Sequence, residues 1–571
     1  MTDLSPVPVL ADSPAGVHSI AAGRRSKEGK RAEGKERKDL RMGPGPGWHG
    51  CRLAAALAVC LGAVVGLSGC KLGPDFVRPT SPWLEPFYHD GQPAQPPVEP
   101  ELTYWWTEFN DPMLNGLIDQ AACQNLTLRE AYFRVVESRA LVTVARGEMF
   151  PEVFGTSGYS NRRTSLNANQ FIIPPTLRRS YDLFTAGFDA GWEIDLWGKL
   201  RRTIEAAEND LAANEAARRD VLVTLLGDVG TSYINFRVVQ QRLNIARANL
   251  VRQQTTAEFV RERFRAGLIS ELDVAQAEEN LHSTAAVIPP LEQQLHLAMH
   301  RLSVLLGESP SLQMLTRLGN GPIPAAPGIL AVGVPAELLR RRPDIREAEF
   351  QVAAQNARIG VAIADLYPQL TLRGTITADS RRVDTWFMTD SLAYSFGPQF
   401  RWDILNFGRL RGGIRVQRAR YEQTVARYRQ SVLLAVEEVE NALISHRTAG
   451  DRRRELYMAA QSAGLSASLS ESQYQQGLVI FQVVLDSQRR VLELQEQIAL
   501  SEGDMSISTV QAFKAAGGGW DARFSCCDPV MARLPATSTV PRVNPVESMP
   551  STAPTETMPS GNLGAAPTLR R

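Results

Sequence analysis

The chain has 571 residues and a net charge of +1, so it is neither strongly basic nor strongly acidic. Its bulk charge therefore gives no reason to expect nucleic acid as a partner or attraction to an anionic membrane surface. A chain of this length usually divides into several domains, but an internal duplication of strands and very long helices indicates one elongated body.

Residues 1–69 are predicted to be a leader and a lipoprotein signal peptide. The first part is basic, but acidic residues interrupt it and no aromatic residue is interleaved, which argues against a nucleic-acid-binding arm. After Met42, the apolar run over residues 53–66 is too short to span a bilayer and is typical of a secretory signal. The sequence Leu67-Ser68-Gly69-Cys70 then resembles a bacterial lipoprotein signal, so we expect the Cys70 thiol to be lipidated.

Residues 70–110 are predicted to form a lipidated N-terminal strap over a folded body. Prolines recur from Pro74 through Pro100, which favours extended chain over helix. Asp111-Pro112 then marks the start of the first helix, because aspartate caps a helix and proline suits its first turn.

Residues 111–309 are interpreted as the first of two repeats. Apolar side chains occupy alternate positions from Tyr181 to Trp192, which predicts a strand. Residues 196–265 contain no proline and little glycine, so we expect one helix about 100 Å long. Gly267-Leu268 predicts a tight turn, because glycine adopts a positive φ at little cost. A return helix follows, and Pro289-Pro290 is expected to break it.

Residues 310–335 are predicted to be a linker, and residues 336–516 the second repeat. Several residues recur after 210 positions: Gly267 as Gly477, Leu268 as Leu478, Trp192 as Trp402 and Gly198 as Gly408. Phe150-Pro151 instead recurs after 217 positions as Tyr367-Pro368, so a surface loop must absorb a seven-residue difference. This register indicates an internal duplication. Residues 517–571 are rich in Pro, Ser, Thr and Ala and are predicted to be a disordered C-terminal tail.

Two interpretations of the four predicted strands are open. They could form a half-buried sheet in a soluble protein or part of a transmembrane β-barrel with its apolar side outward. The export signal and the flanking aromatic residues favour the barrel: Tyr181, Trp192, Tyr394 and Trp402. Four strands cannot close a barrel, so several chains must contribute. The long helices carry polar residues on too many faces to form a core, and we expect them to pack as coiled-coil walls.

An enzyme and a purely structural lipoprotein are the competing classes. His296 and His300 have the i, i+4 spacing of metal ligands, but no Glu adjoins His296 and no third ligand is near. The sequence contains neither a phosphate-binding loop nor a Gly-x-Ser-x-Gly elbow. We therefore expect no enzyme activity, no catalytic residue, no metal and no cofactor. A structural coiled-coil lipoprotein would have no conducting pore, and the alternating strands count against it.

Together these features resemble the TolC-like outer-membrane factor family, in its lipoprotein (NodT-type) branch. The resemblance covers roughly residues 50–515 and includes the mature Gly-Pro-Asp-Phe-x-Arg-Pro segment and Ile288-Pro289-x-Leu291-Glu292-x-Gln294-Leu295. It implies an α+β membrane protein in the cell outer membrane, lipid-anchored and extending into the periplasm. The implied assembly is a homotrimer with one 12-stranded β-barrel, four strands per protomer, continued by a long α-helical coiled-coil barrel.

The resemblance also implies a function and partners. The chain would be the exit duct of a tripartite (RND-type) efflux system exporting drugs or other small toxic compounds. Its partners would be a periplasmic adaptor (membrane fusion) protein, an inner-membrane transporter and outer-membrane lipid, but no nucleic acid. A duct for type I protein secretion or heavy-metal efflux is the alternative.

Site residues follow from the resemblance by position. Four residues match the family's adaptor-docking tips: Gly267, Leu268, Gly477 and Leu478. Asp273 and Tyr474 match two residues whose bond constrains the closed periplasmic gate. Asp486 matches an inward aspartate ring, with a solvated aspartate on the outer wall as the alternative, and Gln482 stands where a lipoprotein relative has a leucine constriction. Val479 and Val483 depart from the family's arginine and second aspartate, so we expect a less ionic gate.

Overall fold

The computed structural model describes residues 70–79, 88–89, 92–93, 102–163, 165, 180–326 and 341–524. The predicted leader and signal peptide, residues 1–69, lie outside the described residues, as do parts of the strap, the linker and the C-terminal tail. The fold is therefore described from Cys70 onward.

Helices and long strands follow the same order twice along the described chain. The strap contains a short hairpin of β1 (Tyr88–His89) and β2 (Gln92–Pro93), followed by a 3-10 segment (Leu102–Phe109). The first half comprises α1 (Pro112–Gln124), α2 (Leu126–Gly147), β3 (Glu152–Arg163), β4 (Ser180–Ile194), α3 (Lys199–Arg265) and α4 (Glu271–Leu305). After α5 (Leu312–Leu318), the second half comprises α6 (Pro343–Ala364), β5 (Gln369–Ser380), β6 (Leu392–Arg401), α7 (Arg409–Gln475) and α8 (Phe481–Ala515).

The two halves match in their contacts as well as in their order. Helices α3 and α7 each have 67 residues, and α4 and α8 each have 35. The indole Nε1 of Trp192 donates to the carbonyl of Met149 at 2.8 Å, and Trp402 donates to the carbonyl of Leu366 at 3.0 Å. Equivalent tryptophans therefore fix equivalent strand ends, as duplicated units would.

Pro289 and Pro290 do not break α4, so the sequence prediction was wrong at this point. The helix runs from Glu271 to Leu305 through both prolines, and both side chains are exposed. A proline removes an intrahelical donor, but the carbonyl left without a partner is tolerated where water can reach it. The exposed position of these prolines satisfies that condition.

The four long strands form one antiparallel sheet in the order β3-β4-β5-β6. β4 joins the halves: Trp192 lies opposite Leu372, and Ile194 opposite Leu370, on β5. Nearly every side chain of β3 and β6 is exposed within the protomer. β3 and β6 are the outer strands, so two strand edges have no partner among the residues that the structure describes.

The largest apolar core lies where the middle of α3 crosses the 3-10 segment, α1 and the ends of α4 and α8. Trp105 is almost fully buried and stacks on Phe513 with ring centroids 5.7 Å apart. Leu226 and Tyr233 present the apolar stretch of α3 to the same core. Burying such aromatic side chains contributes about 2–3 kcal/mol each, so this region holds the long helices in place.

The strap from Cys70 to Arg78 is clamped by the buried side chain of Arg202 on α3. Its guanidinium donates to the carbonyls of Leu72 and Gly73, each at 3.0 Å, and to the Asp75 carboxylate at 2.9 Å. Gly73 has φ +92°, and a Cβ there would lie 2.5 Å from the Cα of Gly360 on α6. The strap therefore requires glycine at this contact and touches both halves of the chain.

The predicted disordered tail does not begin at residue 517. Gly517 and Gly519 have positive φ and turn the chain back onto the core. The Trp520 ring lies 4.9 Å from the Arg219 guanidinium carbon, and Phe524 stacks on Trp106 at 5.9 Å. Aromatic packing after the glycines therefore extends the folded body to Phe524, where the described residues end.

Within the described part of the chain, no helix is both long and apolar enough to cross a membrane.

An acidic cluster on α3, α6 and α7 gives the fold a predicted dependence on pH. Burial raises the pKa of Asp220 to about 6, with a further contribution from Asp344. The ordinary value is 3.8, so the folded protein holds this proton more tightly than the unfolded chain does. A carboxyl of this kind stabilises the fold most below pH ~4, and the contribution is lost as pH rises to ~6.

We expect Asp220→Asn to raise the melting temperature at pH 7.5 and to flatten its decline between pH 4 and 7.5, because the buried charge is removed. The melting temperature at each pH, followed by circular dichroism, measures both effects. Asp504→Asn is the control, since it removes one charge from an exposed position on α8. Equal pH profiles for the two variants would contradict the prediction.

Candidate functional site

The candidate site lies at the end of the two helical hairpins farthest from the sheet. α3 ends in a turn in which Gly267 has φ +71°. The amide of Gly267 donates to the carbonyl of Phe264 at 2.8 Å, and that of Leu268 to Arg263 at 3.0 Å. This pair of bonds is a Schellman cap, which satisfies the last helix carbonyls and favours glycine.

The second hairpin ends in the same turn. Gly477 has φ +76°, and the amides of Gly477 and Leu478 donate to the carbonyls of Tyr474 and Gln473 at 3.0 and 2.9 Å. Leu268 and Leu478 are 66% and 70% exposed. No atom lies within 4 Å of a Cβ built on either glycine, so φ alone imposes glycine here. Each tip thus presents a leucine on an open turn.

The two return helices begin differently. At the start of α4, the Asp273 carboxylate accepts from the backbone amide of Ser270 at 3.3 Å and from its hydroxyl at 3.4 Å. This is a capping box, worth about 1 kcal/mol to a helix. α8 begins after Ile480, whose side chain cannot cap. The first hairpin is therefore fixed at its tip by a polar cap that the second lacks.

Tyr474 lies just before the second tip and is 7% exposed. Its ring packs against Phe481, with centroids 5.2 Å apart. The Arg263 guanidinium carbon lies 5.2 Å from the ring centroid, and Arg263 donates to the Tyr474 carbonyl at 3.2 Å. Burial, followed by the charge of Asp273, raises the pKa of the Tyr474 hydroxyl, whereas Arg263 opposes the shift. Arg263 therefore joins the two hairpins across the site.

No hydrogen bond joins Asp273 to Tyr474 among the described residues of the protomer, and the gate role of this pair stays a prediction. The Asp273 carboxylate caps its own helix, and the buried Tyr474 hydroxyl has no hydrogen-bond partner among the described residues. An apolar cluster holds the hairpins together instead: Ala257, Val260, Ala277, Tyr474, Phe481, Val484 and Leu485.

Gln482 and Asp486 lie on the opposite face of α8 from this cluster. The Gln482 amide donates to the Asp486 carboxylate at 2.9 Å, and Asp486 is exposed within the protomer. Val483 on the same face is exposed as well, whereas Val479 packs at the edge of the cluster. This face therefore offers a polar pair beside an exposed valine to whatever it meets in the assembly.

Cys70 lies far from the tips, where the sheet meets the long helices, and its thiol is free and exposed. The amide of Leu72 donates to the carbonyl of Trp197 at 3.2 Å, and a Cβ on Gly198 would meet Lys71 at 2.8 Å. The strap thus holds Cys70 beside the junction of β4 and α3, at the end of the sheet.

His296 and His300 lie along α4 with ring centroids 6.3 Å apart. Across the residues that the structure describes, no group of three or more His, Cys, Asp or Glu side chains could hold a metal ion.

Two functional contacts were missed by the sequence analysis. Arg263 makes one of the contacts between the hairpins, but an arginine near a helix end is usually solvated and gave no signal. The Arg202 clamp could have been found, because the residue 210 positions later is Gly412, and a difference between repeats marks a role particular to one of them.

Comparison with known proteins shows which proteins resemble this chain in sequence and in structure. Residues 117–308 and 334–518 match the model of the outer membrane efflux protein family. Nodulation protein T of Rhizobium leguminosarum bv. viciae is 33% identical over 87% of this chain and 98% of its own. The toluene efflux pump outer membrane protein TtgI of Pseudomonas putida is 32% identical over 80% and 97%.

A solved structure of the outer-membrane channel OprN is similar, with a TM-score of 0.72 and 31% sequence identity. The match covers 79% of this chain and 100% of that chain. The chain therefore belongs to the outer membrane efflux protein family, a family of outer-membrane channels in efflux systems rather than of enzymes.

Proposed function

We propose that this chain is the outer-membrane exit duct of a tripartite efflux system of the RND type. The observation that carries the proposal is the joining of an edge-open sheet to hairpins that end in exposed Gly-Leu turns. At about 1.5 Å per residue, helices of 67 residues extend about 100 Å from the sheet. A sheet in the outer membrane would thereby reach partners deep in the periplasm.

The internal duplication supports a specific assembly of several copies. Between the halves of one protomer, the Trp197 indole donates to the carbonyl of Pro368 at 2.7 Å and stacks on Tyr367 at 4.9 Å. Lys199 pairs with Asp365 at 2.9 Å. These contacts join the start of α3 to the end of α6.

Among the described residues, the equivalent residues on the outer sides of the protomer do not form these contacts within it. The counterpart of Trp197 is Phe407, which is 92% exposed, and that of Tyr367 is Phe150, which is 70% exposed. Arg409 and Glu148, the counterparts of Lys199 and Asp365, are exposed as well, and Arg409 pairs with Asp403 at 3.1 Å. We infer that Phe407 and Arg409 of one copy meet Phe150 and Glu148 of the next.

The same contact between neighbouring copies pairs β6 of one copy with β3 of the next. The sheet then continues from copy to copy without an open edge. Single-chain membrane barrels need about eight strands or more, so four strands require additional copies. The family resemblance implies three copies, a 12-stranded barrel and a helical barrel beneath it. Cys70, at the end of the sheet, would then lie at the membrane surface, where a lipid on its thiol inserts.

The end of the molecule that carries the Gly-Leu turns would meet the other pump components. We place a periplasmic adaptor on the exposed Leu268 and Leu478 turns and assign the energy of transport to an inner-membrane transporter. One relative is named for toluene efflux, and we propose small toxic organic compounds as the cargo of this chain. The transporter selects which compound is exported, so the residues that line the duct discriminate by the size and charge of what passes.

The face of α8 that carries Gln482 and Asp486 would line the narrowest part of the duct. Three copies of Asp486 around one axis would concentrate negative charge, which attracts cations and repels anions. Val483 beside them would keep the constriction less ionic than a double ring of carboxylates.

Pairing of β6 with β3 of the next copy predicts a register. Applying the β4–β5 pairing to β6 and β3, with the repeat spacings of 210 and 217 residues, places Phe400 opposite Ser157. A Phe400→Cys/Ser157→Cys variant treated with a short thiol crosslinker should run as a covalent ladder ending at three times the mass of the mature chain. Phe400→Cys/Thr156→Cys is the control, because adjacent strand residues face opposite sides. A ladder that ends at another number would contradict the trimer.

Mass measurement of the mature N-terminal peptide shows whether Cys70 carries lipid.

Valine at Gly267 or Gly477 should impair pump assembly more than folding. A positive φ costs a β-branched residue about 1–2 kcal/mol, and this strain deforms an exposed docking turn. We expect adaptor capture and export to fall while the trimer persists. Gly319→Val is the matched control, because Gly319 also has positive φ and open space but lies in the linker. Equal effects at the tips and at Gly319 would make the turns structural elements rather than docking elements.

Electrical recording tests the duct itself. The purified wild-type protein in a planar bilayer should conduct, and its reversal potential in asymmetric salt should indicate cation selectivity. Asp486→Asn should lower this selectivity, whereas Asp504→Asn farther along α8 should leave it unchanged. Absence of conductance would support a structural lipoprotein, and an unchanged reversal potential in Asp486→Asn would move this residue to the outer wall.

A further inference from the structure

A cavity of about 600 Å³ lies between α3, α7 and α8, just beyond the Tyr474 cluster. Its size falls within the range of about 300–1,000 Å³ that small-molecule sites occupy. Its lining residues come from three helices that otherwise meet only along narrow seams. They include Gln253 of α3, Glu471 of α7 and Gln488 of α8.

Three buried polar atoms on the cavity wall have no hydrogen-bond partner among the described residues. They are the Gln253 Oε1, the Gln488 Oε1 and the Tyr474 hydroxyl. Gln253 and Tyr474 are each more than nine-tenths buried. Buried polar atoms are almost always hydrogen-bonded in proteins, so three such atoms around one cavity need a common explanation.

The chemistry of these atoms restricts what fills the space. An amide oxygen only accepts hydrogen bonds, so an occupant must donate at least two. The Gln488 amide nitrogen already donates to the Thr256 hydroxyl at 3.4 Å, which orients its oxygen away from that group. Arg252 and Glu471 both line the cavity, and their charges cancel. Phe259 and Phe481 supply an apolar wall.

We propose that this cavity binds a small uncharged molecule that presents two or more N–H or O–H donors beside an apolar body, as an aryl urea does. The donors satisfy Gln253 and Gln488, and the apolar body packs against the two phenylalanines. A ligand there bridges α3, α7 and α8 directly behind the tips.

The test is binding of phenylurea to the full-length protein in detergent, followed by saturation-transfer NMR against empty micelles. Trimethylphenylurea, which keeps the ring and carbonyl but has no N–H, is the matched probe and should not bind. Gln253→Leu and Gln488→Leu should each weaken phenylurea binding by about tenfold, the effect of losing one hydrogen bond. Gln497→Leu on α8, outside the cavity, should bind as the wild type does.

Stability provides a second measurement. The Gln253 oxygen lacks a partner among the described residues, so Gln253→Leu should leave the melting temperature of the ligand-free protein unchanged or higher. A lower melting temperature for this variant would mean that the protein already satisfies the Gln253 oxygen and would overturn the proposal. It is also overturned if phenylurea does not bind, if trimethylphenylurea binds equally well, or if both leucine variants bind like the wild type.

Discussion

Backbone N–H and C=O groups along the outer edges of β3 and β6 have no strand partner in the described part of the protomer. In a bilayer no water replaces that partner, and each unpaired group costs several kcal/mol. The proposed assembly meets this constraint because the two halves are duplicates. The second half of one copy contacts the first half of the next copy in the way that the two halves contact each other within one chain. The exposed Phe407 and Phe150 follow the same logic as the strand edges.

The sequence allowed accurate prediction wherever the residue type itself strongly favours one conformation. Gly267 and Gly477 have the positive φ expected of them, and Trp192 and Trp402 end matching strands. Prediction failed where tertiary contacts decide between allowed states. Pro289 sits within a continuous helix because its side is exposed, and residues 517–524 fold because Trp105 and Trp106 offer them a surface. Of the candidate site, the turns at the tips were predictable, but the helix cap that Asp273 forms with Ser270 was not.

That cap makes the two hairpins differ at the tips. Asp273 fixes the start of α4, whereas α8 begins without a side-chain cap, and Tyr474 buries a hydroxyl with no partner beside it among the described residues. Movement of one hairpin relative to the other would disrupt the aromatic packing, the Arg263 contact and the bonds from Arg489 on α8 to Asn280 and Glu279 on α4. The hairpins are therefore joined by both apolar and polar contacts.

The strap carries a consequence for the order in which the molecule matures. Arg202, which clamps Leu72 and Gly73, belongs to the first half, whereas Asn356, which donates to the Pro74 carbonyl at 2.9 Å, and Gly360 belong to the second. Neither surface suffices alone, so the strap settles only after both halves have folded against each other. The strap, which is synthesised before either half, is then among the last segments to reach its final position, and Cys70 at its start remains exposed when it does.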